Sequence, residues 1–501
     1  MTAAGLVRAE WTKFRTVRGW LIGMVVAALL IVFLGWLAAE GSHSSCGGPA
    51  TGCPIDPVGP GGQGVVDRFY FVHRTLPGDG SMTVRVNSMT GEARAADAVP
   101  GVRNVIPELE PWSKAGIMVK DGTRQGATYA AIMMTGKHGV RMQYDFTHDV
   151  AGRPGNGPRW LRLTRSGQTL TGYESTDGSQ WSKVGTVHLA KLPATAQIGL
   201  FASSPGAITV TKGDFGGASS TMRFSQATAV VDQISVQGQT SAAWAKDDIG
   251  VEKEADGTPH HPGGLAQSGG TFTITGVGDI APRIEGMSIS NTLMGATLGL
   301  IAVIVIAAGF MTAEYRRGLI RATFMAEPRR VRPLLAKTAV IAGVSLVAGL
   351  IAAAVIVPLA SHILRQNGNY ILPVSTFTEA RVIVGTAALL AAVAVIALAL
   401  GSIFRRSAAA ITACVALIVL PHILATTSVL PSGVAQWMMR LTPAAGFSVQ
   451  QAIPSYHQVV GNYVPQEGFY PLSPLAGFAV TCAYAVLALG LAAYMLRRRD
   501  A

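Results

Sequence analysis

Residues 287–313 read MSISNTLMGATLGLIAVIVIAAGFMTA and contain no Asp, Glu, Lys or Arg. A bilayer core of ~30 Å is crossed by about 20 helical residues, so this run is long enough for one transmembrane helix. Similar uncharged runs occur at residues 19–39, 338–364, 382–404, 407–439 and 468–496. Pro421 and Pro431 interrupt the run 407–439, so we expect its helix to end near residue 425. The sequence therefore predicts six transmembrane helices, at 19–39, 287–313, 338–364, 382–404, 407–425 and 473–496.

The overall composition also favours a membrane protein. Of 501 residues, 49% are hydrophobic and 14% are charged, against roughly 25% charged residues in ordinary soluble domains. The six apolar runs contain no Asp, Glu, Lys or Arg, the side chains that most often carry protons and ions through membrane proteins. This absence from the sequence argues against a secondary transporter or an ion pump.

The net charge of +12 lies in a few short segments. Residues 1–18, 314–337, 405–406 and 497–501 carry 16 Lys and Arg against four acidic residues, which accounts for the whole excess. Six successive crossings place these segments on one side of the membrane, and such a bias marks the cytoplasmic side. We therefore expect a multi-pass protein of the cell membrane with cytoplasmic termini and with residues 40–285 outside the cell. Anionic membrane lipid accounts for the basic charge, so we expect no nucleic-acid partner.

Residues 40–285 are numerous enough to form a domain between the first and second helices. The segment 40–64 is rich in Gly and Pro and predicts a stalk, in which we expect a disulfide between Cys46 and Cys53; two free thiols are the alternative. From residue 65 to 285, short alternating runs are bounded by turn residues, a pattern typical of an all-β sandwich. His260 and His261 have no acidic or cysteine partner at ligand spacing, so no metal site is expected.

Three stretches of this region carry a resemblance to a known domain: WSKAGIMV at 112–119, WLRLTRSG at 160–167 and GYESTDGSQW at 172–181. They resemble the concanavalin-A-like sandwich found at the end of some bacterial β-xylosidases. Hydrolases of that fold carry closely spaced carboxylates, and Glu108 and Glu110, which lie between prolines, do not form such a pattern. We therefore predict no catalytic residues and no glycosidase activity. The rings of Trp160, Tyr173 and Trp181 form either a platform for an extracellular glycan or part of the packing of the sandwich.

The segment 314–337 begins EYRRGLIRAT and continues with the basic stretch PRRVRPLLAK at 328–337. It resembles the first cytoplasmic loop of ATP-binding-cassette exporter permeases of the type-two class. In that family this loop is the coupling helix that rests on the ATPase subunit. The resemblance assigns this role to Glu314, Arg316, Arg317, Gly318 and Arg321, whereas Leu319 departs from the usual Thr or Ser. The alternative is an ordinary basic cytoplasmic loop.

Two further segments resemble the same family. Residues 10–18, EWTKFRTVR, resemble the amphipathic helix that precedes the first span, and we assign residues 1–18 to it. Trp11 and Phe14 would face the membrane interface, while Lys13 and Arg15 meet lipid phosphates. The segment 426–472 contains PSGVAQWMMRLTPAA at 431–445, which resembles the short re-entrant helices found outside the membrane in these permeases.

The resemblance implies an ATP-driven exporter whose ATP and Mg²⁺ are bound by a separate cytoplasmic ATPase subunit. This chain has no Gly-x-x-x-x-Gly-Lys-(Ser/Thr) loop, so we expect it to bind no cofactor and to be no enzyme. With six spans it would form half of the pathway, as a homodimer or with a paralogous permease. The apolar spans suit a lipophilic or amphipathic cargo. The alternatives are a membrane-anchored glycan-binding protein and a sensor or immunity protein acting through the outer domain.

Overall fold

A computed structural model describes most of the chain. The described residues are 2–44, 57–96, 104–212, 218–241, 243–251, 260–316, 318, 319, 323, 325, 327, 329–427, 429–461 and 463–499. Cys46 and Cys53 lie outside these residues, so the predicted disulfide remains a prediction. Arg317 and Arg321 also lie outside them.

Six helices in the described residues are long and apolar enough to cross a membrane, which confirms the predicted number. In chain order we name them spans 1 to 6: Arg18–Glu40, Ile289–Arg316, Val331–Gln366, Thr376–Phe404, Ser407–Thr426 and Pro474–Arg498. The shorter helices are the N-terminal helix Ala3–Thr16, the helix Ser432–Leu441 and the 3₁₀ segments Pro443–Gln450 and Pro465–Glu467. The last three lie within the predicted extracellular segment 426–472.

Local sequence explains where several helices begin and end. Thr2 accepts a hydrogen bond from the Gly5 backbone N–H and so caps the N-terminal helix. Ser375 caps span 4 by accepting from the Thr378 backbone N–H at 3.2 Å. Span 5 accommodates Pro421, which has no backbone N–H to donate, by widening into a π-helical turn at Val415–Val419. It ends at Thr426, close to the predicted residue 425.

The spans are longer than the uncharged runs of the sequence. Span 2 continues to Arg316 and span 3 already begins at Val331, so helix enters the predicted loop 314–337 from both sides. Charged residues are tolerated at the ends of a span because their head groups reach the interface. The uncharged runs therefore locate the spans but understate their length.

Within the bundle, span 4 is central and packs against spans 2, 3 and 6. Spans 2 and 4 are the most buried, whereas spans 1 and 6 are the least buried. Span 1 exposes a broad apolar face that includes Leu21, Ile22, Leu29 and Phe33. Such a surface is compatible with lipid and costly in water. The helices thus form a bundle whose outer members present apolar surface of the kind that suits a bilayer.

The strands follow span 1 and precede span 2, mostly in the N-terminal half of the chain. They are β1 Val65–Asp67, β2 Phe69–Pro77, β3 Gly80–Arg94, β4 Val105–Pro107, β5 Lys114–Lys120, β6 Tyr129–Thr135, β7 Val140–Tyr144, β8 His148–Ala151, β9 Arg159–Ser166, β10 Thr169–Ser175, β11 Ser182–His188, β12 Thr195–Ser203, β13 Ala207–Lys212, β14 Ala218–Arg223, β15 Ser225–Gly238, β16 Ala245–Ile249, β17 Gly264–Ser268, β18 Thr271–Gly276 and β19 Ile280–Pro282.

These strands form a large all-β sandwich, as predicted. Among the described residues, sheet I has the order β11-β10-β9-β3-β15-β18-β17, with β4 also paired to β3. Sheet II has the order β16-β2-β12-β5-β6-β7-β8. All of their strand pairs are antiparallel. Two small ribbons, β1–β19 and β13–β14, complete the described strands.

The core of the sandwich follows from side-chain alternation. On β9, Leu161 and Leu163 are fully buried between the sheets, while the residues between them face outward. The central strands β5 and β6 of sheet II are buried on both faces, and Phe69 and Phe71 of β2 belong to a second apolar cluster on the outer side of the sheet. The ribbon β1–β19 contributes Val65 and Ile280 to that cluster. The ribbon therefore holds the start and the end of the sandwich, where the chain arrives from span 1 and leaves for span 2, against sheet II.

Two buried ion pairs fasten this ribbon. The Lys120 ammonium lies 2.7 Å from the Asp67 carboxylate, and both side chains are fully buried. The Lys114 ammonium lies 2.6 Å from the Asp279 carboxylate and also donates to the Ile280 carbonyl at 2.7 Å. Buried charges persist only when they are paired, so these contacts specify how the ribbon lies on the sheet.

The sandwich also touches the helix bundle directly. The Arg283 guanidinium lies 4.5 Å from the centroid of the Tyr370 ring, between spans 3 and 4. The Gln458 side-chain amide donates to the Phe146 carbonyl of the sandwich at 3.3 Å. Met287 and Ile371 form an isolated parallel β-bridge. The contacts place sheet II and its ribbon beside one end of the bundle. The N-terminal helix, the end of span 2 and the start of span 3 lie at the other end, which we call the basic end.

Candidate functional site: a buried ion cluster at the basic end

Three elements meet at the basic end of the bundle. Glu10 and Lys13 lie three residues apart on the N-terminal helix and so share one face of it. Glu314 lies in the last turn of span 2, and Lys337 lies in the second turn of span 3. We call these four residues the ion cluster.

The four charges alternate in sign. The Lys337 ammonium lies 2.6 Å from Glu10 Oε2 and 2.6 Å from Glu314 Oε1. The Lys13 ammonium lies 2.8 Å from Glu10 Oε1 and 3.2 Å from Glu314 Oε1. Each carboxylate thus bridges both lysines, and each lysine bridges both carboxylates. The Lys337 ammonium is also 4.6 Å from the centroid of the Phe310 ring, which presents its electron-rich face to cations.

The cluster is largely withdrawn from water. Glu10, Glu314 and Lys337 are buried, whereas 45% of the Lys13 side chain is exposed. Burial tends to lower the pKa of Lys13, but hydrogen bonds and the charges of Glu10 and Glu314 outweigh it and raise that pKa. Removal of one partner from such a group leaves an uncompensated buried charge. The cluster therefore ties the N-terminal helix to spans 2 and 3.

Aromatic packing reinforces the same junction. Phe14 is fully buried, and its ring meets Phe310 of span 2 edge to face at 5.5 Å between centroids. Trp20 of span 1 meets the same Phe310 ring at 6.1 Å. Trp11 is 42% exposed and stacks on Phe14 at 6.3 Å. Span 1, span 2 and the N-terminal helix thus share one aromatic contact.

Of the four residues predicted to lie at the membrane interface, two are exposed and two are held by contacts within the protein. Trp11 and Arg15 are exposed, as that role requires. Phe14 instead packs inside the bundle, and Lys13 is held by Glu10 and Glu314. Phe14 turns inward because the side of the helix that carries it and Glu10 lies against spans 2 and 3.

The predicted coupling residues also differ in their surroundings. Glu314 belongs to the ion cluster and faces the bundle, while Arg316 is exposed at the end of span 2. Gly318 has φ +67° and its N–H donates to the Tyr315 carbonyl at 3.2 Å. A left-handed residue just beyond a helix commonly ends it, and glycine adopts that conformation without strain. Glu10 and Lys337 were given no site role by the sequence, which contains no signal that they meet Glu314.

The predicted glycan platform lies on the outer face of sheet I. Trp160 and Tyr173 belong to the outward-facing sets of β9 and β10, so neither ring enters the core between the sheets. The Trp160 ring packs against the turn residue Gly178, where a Cβ would come within 2.7 Å of it. The Arg162 guanidinium lies 3.9 Å from the centroid of the Trp181 ring. Intramolecular contacts therefore occupy part of the surface that a sugar would need.

The described residues contain no group of three or more His, Cys, Asp or Glu side chains that could hold a metal ion. His261 lies 3.2 Å from the Asp248 carboxylate, an isolated contact of one histidine with one acid. Among these residues, Cys414 and Cys482 are free cysteines within spans 5 and 6.

No protein-family model and no curated protein matches this chain. Among solved structures, a functionally unknown protein from Saccharomyces cerevisiae is similar, with 14% identity, a TM-score of 0.22 and coverage of 34% of this chain and 75% of that chain. SCP-B, a member of the Eqolisin family of peptidases, has 8% identity, a TM-score of 0.24 and coverage of 42% and 98%. A mutant of the GH43 protein BlXynB from Bacillus licheniformis has 17% identity, a TM-score of 0.16 and coverage of 25% and 24%. Such low scores bear on neither the fold nor the activity of this chain.

Proposed function

We propose that this chain is the permease subunit of an ATP-driven exporter of the type-two ATP-binding-cassette class. The observation that carries the proposal is the segment that starts with Glu-Tyr-Arg-Arg-Gly at 314–318 and emerges from the end of span 2. Its glutamate is bound through the ion cluster to span 3 and to the N-terminal helix. A push on this segment would therefore move three elements together, which is what the coupling of ATP hydrolysis to a membrane pathway requires.

The proposal includes an orientation. We place both termini and residues 314–337 in the cytoplasm and residues 40–285 outside the cell, because the basic segments mark the cytoplasmic side. The cargo would be a lipophilic or amphipathic compound that passes between apolar spans. The sandwich would be a concanavalin-A-like module without enzymatic activity, inserted between the first and second spans.

A separate cytoplasmic subunit would supply ATP binding and hydrolysis. One chain of six spans would form half of a membrane pathway. A second copy of this chain is the simplest partner, and a paralogous permease is the alternative. Among the described residues, Arg316 is well placed to meet the ATPase, because it is exposed at the end of span 2, two residues after Glu314.

Copurification of the full-length chain with an ATP-binding-cassette ATPase from its own cell tests this proposal. We expect the pair to copurify and Arg316→Glu to abolish stimulation of ATP hydrolysis by the permease, because the charge reversal would repel an acidic docking surface. Arg124→Glu is the matched control, since Arg124 is an exposed arginine of the sandwich. Absence of an associated ATPase, or equal effects of the two substitutions, would contradict the proposal.

A further inference from the structure

The two sheets of the sandwich have different surroundings. The outer face of sheet II carries the ribbon β1–β19 and lies beside the bundle, where Gln458 donates to the Phe146 carbonyl at 3.3 Å. Because the inner faces of the two sheets pack against each other, the outer face of sheet I lies on the opposite side of the sandwich. That face therefore points away from the bundle and from the membrane around the spans.

The strand register places three cations on the outer face of sheet I. Residues that stand opposite each other on neighbouring strands lie on the same face of a sheet. Arg85 on β3 stands opposite the outward-facing Trp160 of β9. Arg162 of β9 and Lys183 of β11 both stand opposite the outward-facing Tyr173 of β10. The three basic side chains therefore share one face with two of the aromatic rings.

Aromatic and hydroxyl groups hold the central cation in place. The Arg162 guanidinium lies 3.9 Å from the centroid of the Trp181 ring, and its Nε–H donates to the Thr83 hydroxyl at 2.9 Å. A guanidinium has five N–H donors, so Arg162 keeps others for a ligand. Its planar group is already oriented, so little side-chain freedom is lost when it binds an anion. The contacts of Trp181 thus favour a charged ligand at Arg162 over an uncharged ring on the tryptophan.

The positive charge of this face is not neutralised within the sandwich. Arg85 and Lys183 form no ion pair with any residue that the structure describes. Asp232 stands opposite Arg85 in the register without pairing with it. The carboxylate of Asp177, in the turn beside Trp160, accepts from two backbone N–H groups of that turn at 2.8 Å. Segment 40–285 as a whole has 21 basic and 22 acidic residues, so the excess of cations is local to this face.

The spacing of the cations indicates the size of the partner. Arg85 and Lys183 lie on strands β3 and β11, with β9 and β10 between them. Three strand spacings of ~4.8 Å separate them by about 14 Å across the sheet, and Arg162 lies between them. One small anion cannot reach all three cations, whereas an extended chain with repeated negative groups can. Guanidinium groups bind the paired oxygens of phosphate and carboxylate groups alike.

We propose that the outer face of sheet I binds an anionic polymer whose repeating units carry phosphate or carboxylate groups, with Arg85, Arg162 and Lys183 as the cations that meet them. The polymer approaches from the side of the sandwich that is turned away from the bundle. This binding is independent of the proposed exporter function, because it needs neither ATP nor an ATPase.

Titration of the full-length protein in nanodiscs of zwitterionic phosphatidylcholine tests the face. The anionic probes are long-chain inorganic polyphosphate and poly-L-glutamate, and neutral dextran is the uncharged comparison. We expect saturable binding of at least one anionic probe and none of dextran. The affinity should fall as salt is raised from about 50 to 200 mM, because salt screens exposed charges. The anionic probe that binds more tightly identifies phosphate or carboxylate as the preferred group.

Arg85→Gln combined with Lys183→Gln should weaken binding by roughly 10-fold, because two charges that meet the polymer are removed. Arg124→Gln is the matched control, since Arg124 is an exposed arginine of the sandwich between β5 and β6 of sheet II. Arg497→Gln, at the exposed end of span 6, controls for binding of the probe elsewhere on the protein. Both controls should leave the affinity unchanged. The proposal is overturned when neither anionic probe saturates, when dextran binds as tightly, or when a control weakens binding as much as the paired substitutions.

Discussion

At the scale of single residues, Lys337 is a cation buried among charged and aromatic groups. Its ammonium compensates two buried carboxylates, Glu10 and Glu314, each at 2.6 Å. Lys337→Met keeps the apolar stem but leaves Lys13, which is partly exposed, to balance both acids. We expect the substitution to cost about 3–5 kcal/mol, as for other broken buried ion pairs.

The thermal unfolding midpoint of the purified protein in detergent measures this effect. Lys183→Met, at an exposed position of β11, is the control and should leave the midpoint almost unchanged. The raised pKa of Lys13 adds a pH dependence. Its contribution is present below the usual lysine value of 10.5 and is lost as the pH rises through the raised value. Equal midpoints for the two variants would show that the ion cluster does not stabilise the fold.

Gly318 is a second residue whose replacement should affect stability, because its backbone conformation favours glycine. At φ +67° a Cβ is strained although no neighbouring atom lies within 4 Å of its position. Gly318→Ala should therefore destabilise the protein by roughly 1–2 kcal/mol. Gly343→Ala in span 3 is the matched control, because its Cβ also meets no atom within 4 Å and its backbone is helical. Midpoints that fall equally for both variants would exclude backbone strain as the cause.

At the scale of elements, the ribbon β1–β19 determines how the sandwich is held. Asp67→Asn removes the charge that compensates the fully buried Lys120. We expect the ribbon to open more readily, by ~100-fold or more, which corresponds to the loss of about 3 kcal/mol from a buried pair. Hydrogen exchange of the amides at 65–67 and 280–282 measures this opening.

The control for this experiment is Asp121→Asn. Asp121 directly follows Lys120, and its side chain makes no ion pair with any described residue. It should leave exchange in the ribbon unchanged. Unaltered exchange in the Asp67→Asn variant would mean that the apolar contacts of Val65 and Ile280 alone hold the ribbon in place.

At the scale of the whole molecule, the proposed orientation places the N-terminal helix and the sandwich on opposite sides of the membrane. In a variant without the native cysteines, we expect Lys183→Cys to react with a membrane-impermeant maleimide on intact cells. Arg8→Cys should react only after the cells are opened, because Arg8 lies on the exposed side of the N-terminal helix. Labelling of position 8 on intact cells would reverse the proposed topology.

The sequence by itself determined the six apolar helices and the alternating strands of the sandwich. An element that packs against lipid or against an opposing sheet needs apolar side chains on the buried side. The spacing of apolar residues along the chain therefore indicates a helix or a strand without knowledge of distant residues. The end of span 5 near Pro421 and the buried positions of β9 follow from the same local rules. The coupling role of Arg316 and Gly318 stays a prediction, because it rests on a resemblance of sequence alone.

Only the tertiary structure decided which charges meet. Glu10 is 327 positions from Lys337 in the sequence. The local sequence around a charged residue at the end of a helix is the same whether its side chain faces water or another charge. The inward turn of Phe14 depends likewise on how separate elements pack. Packing brings distant residues within ångströms of each other, and no local pattern of hydrophobicity or charge encodes that distance.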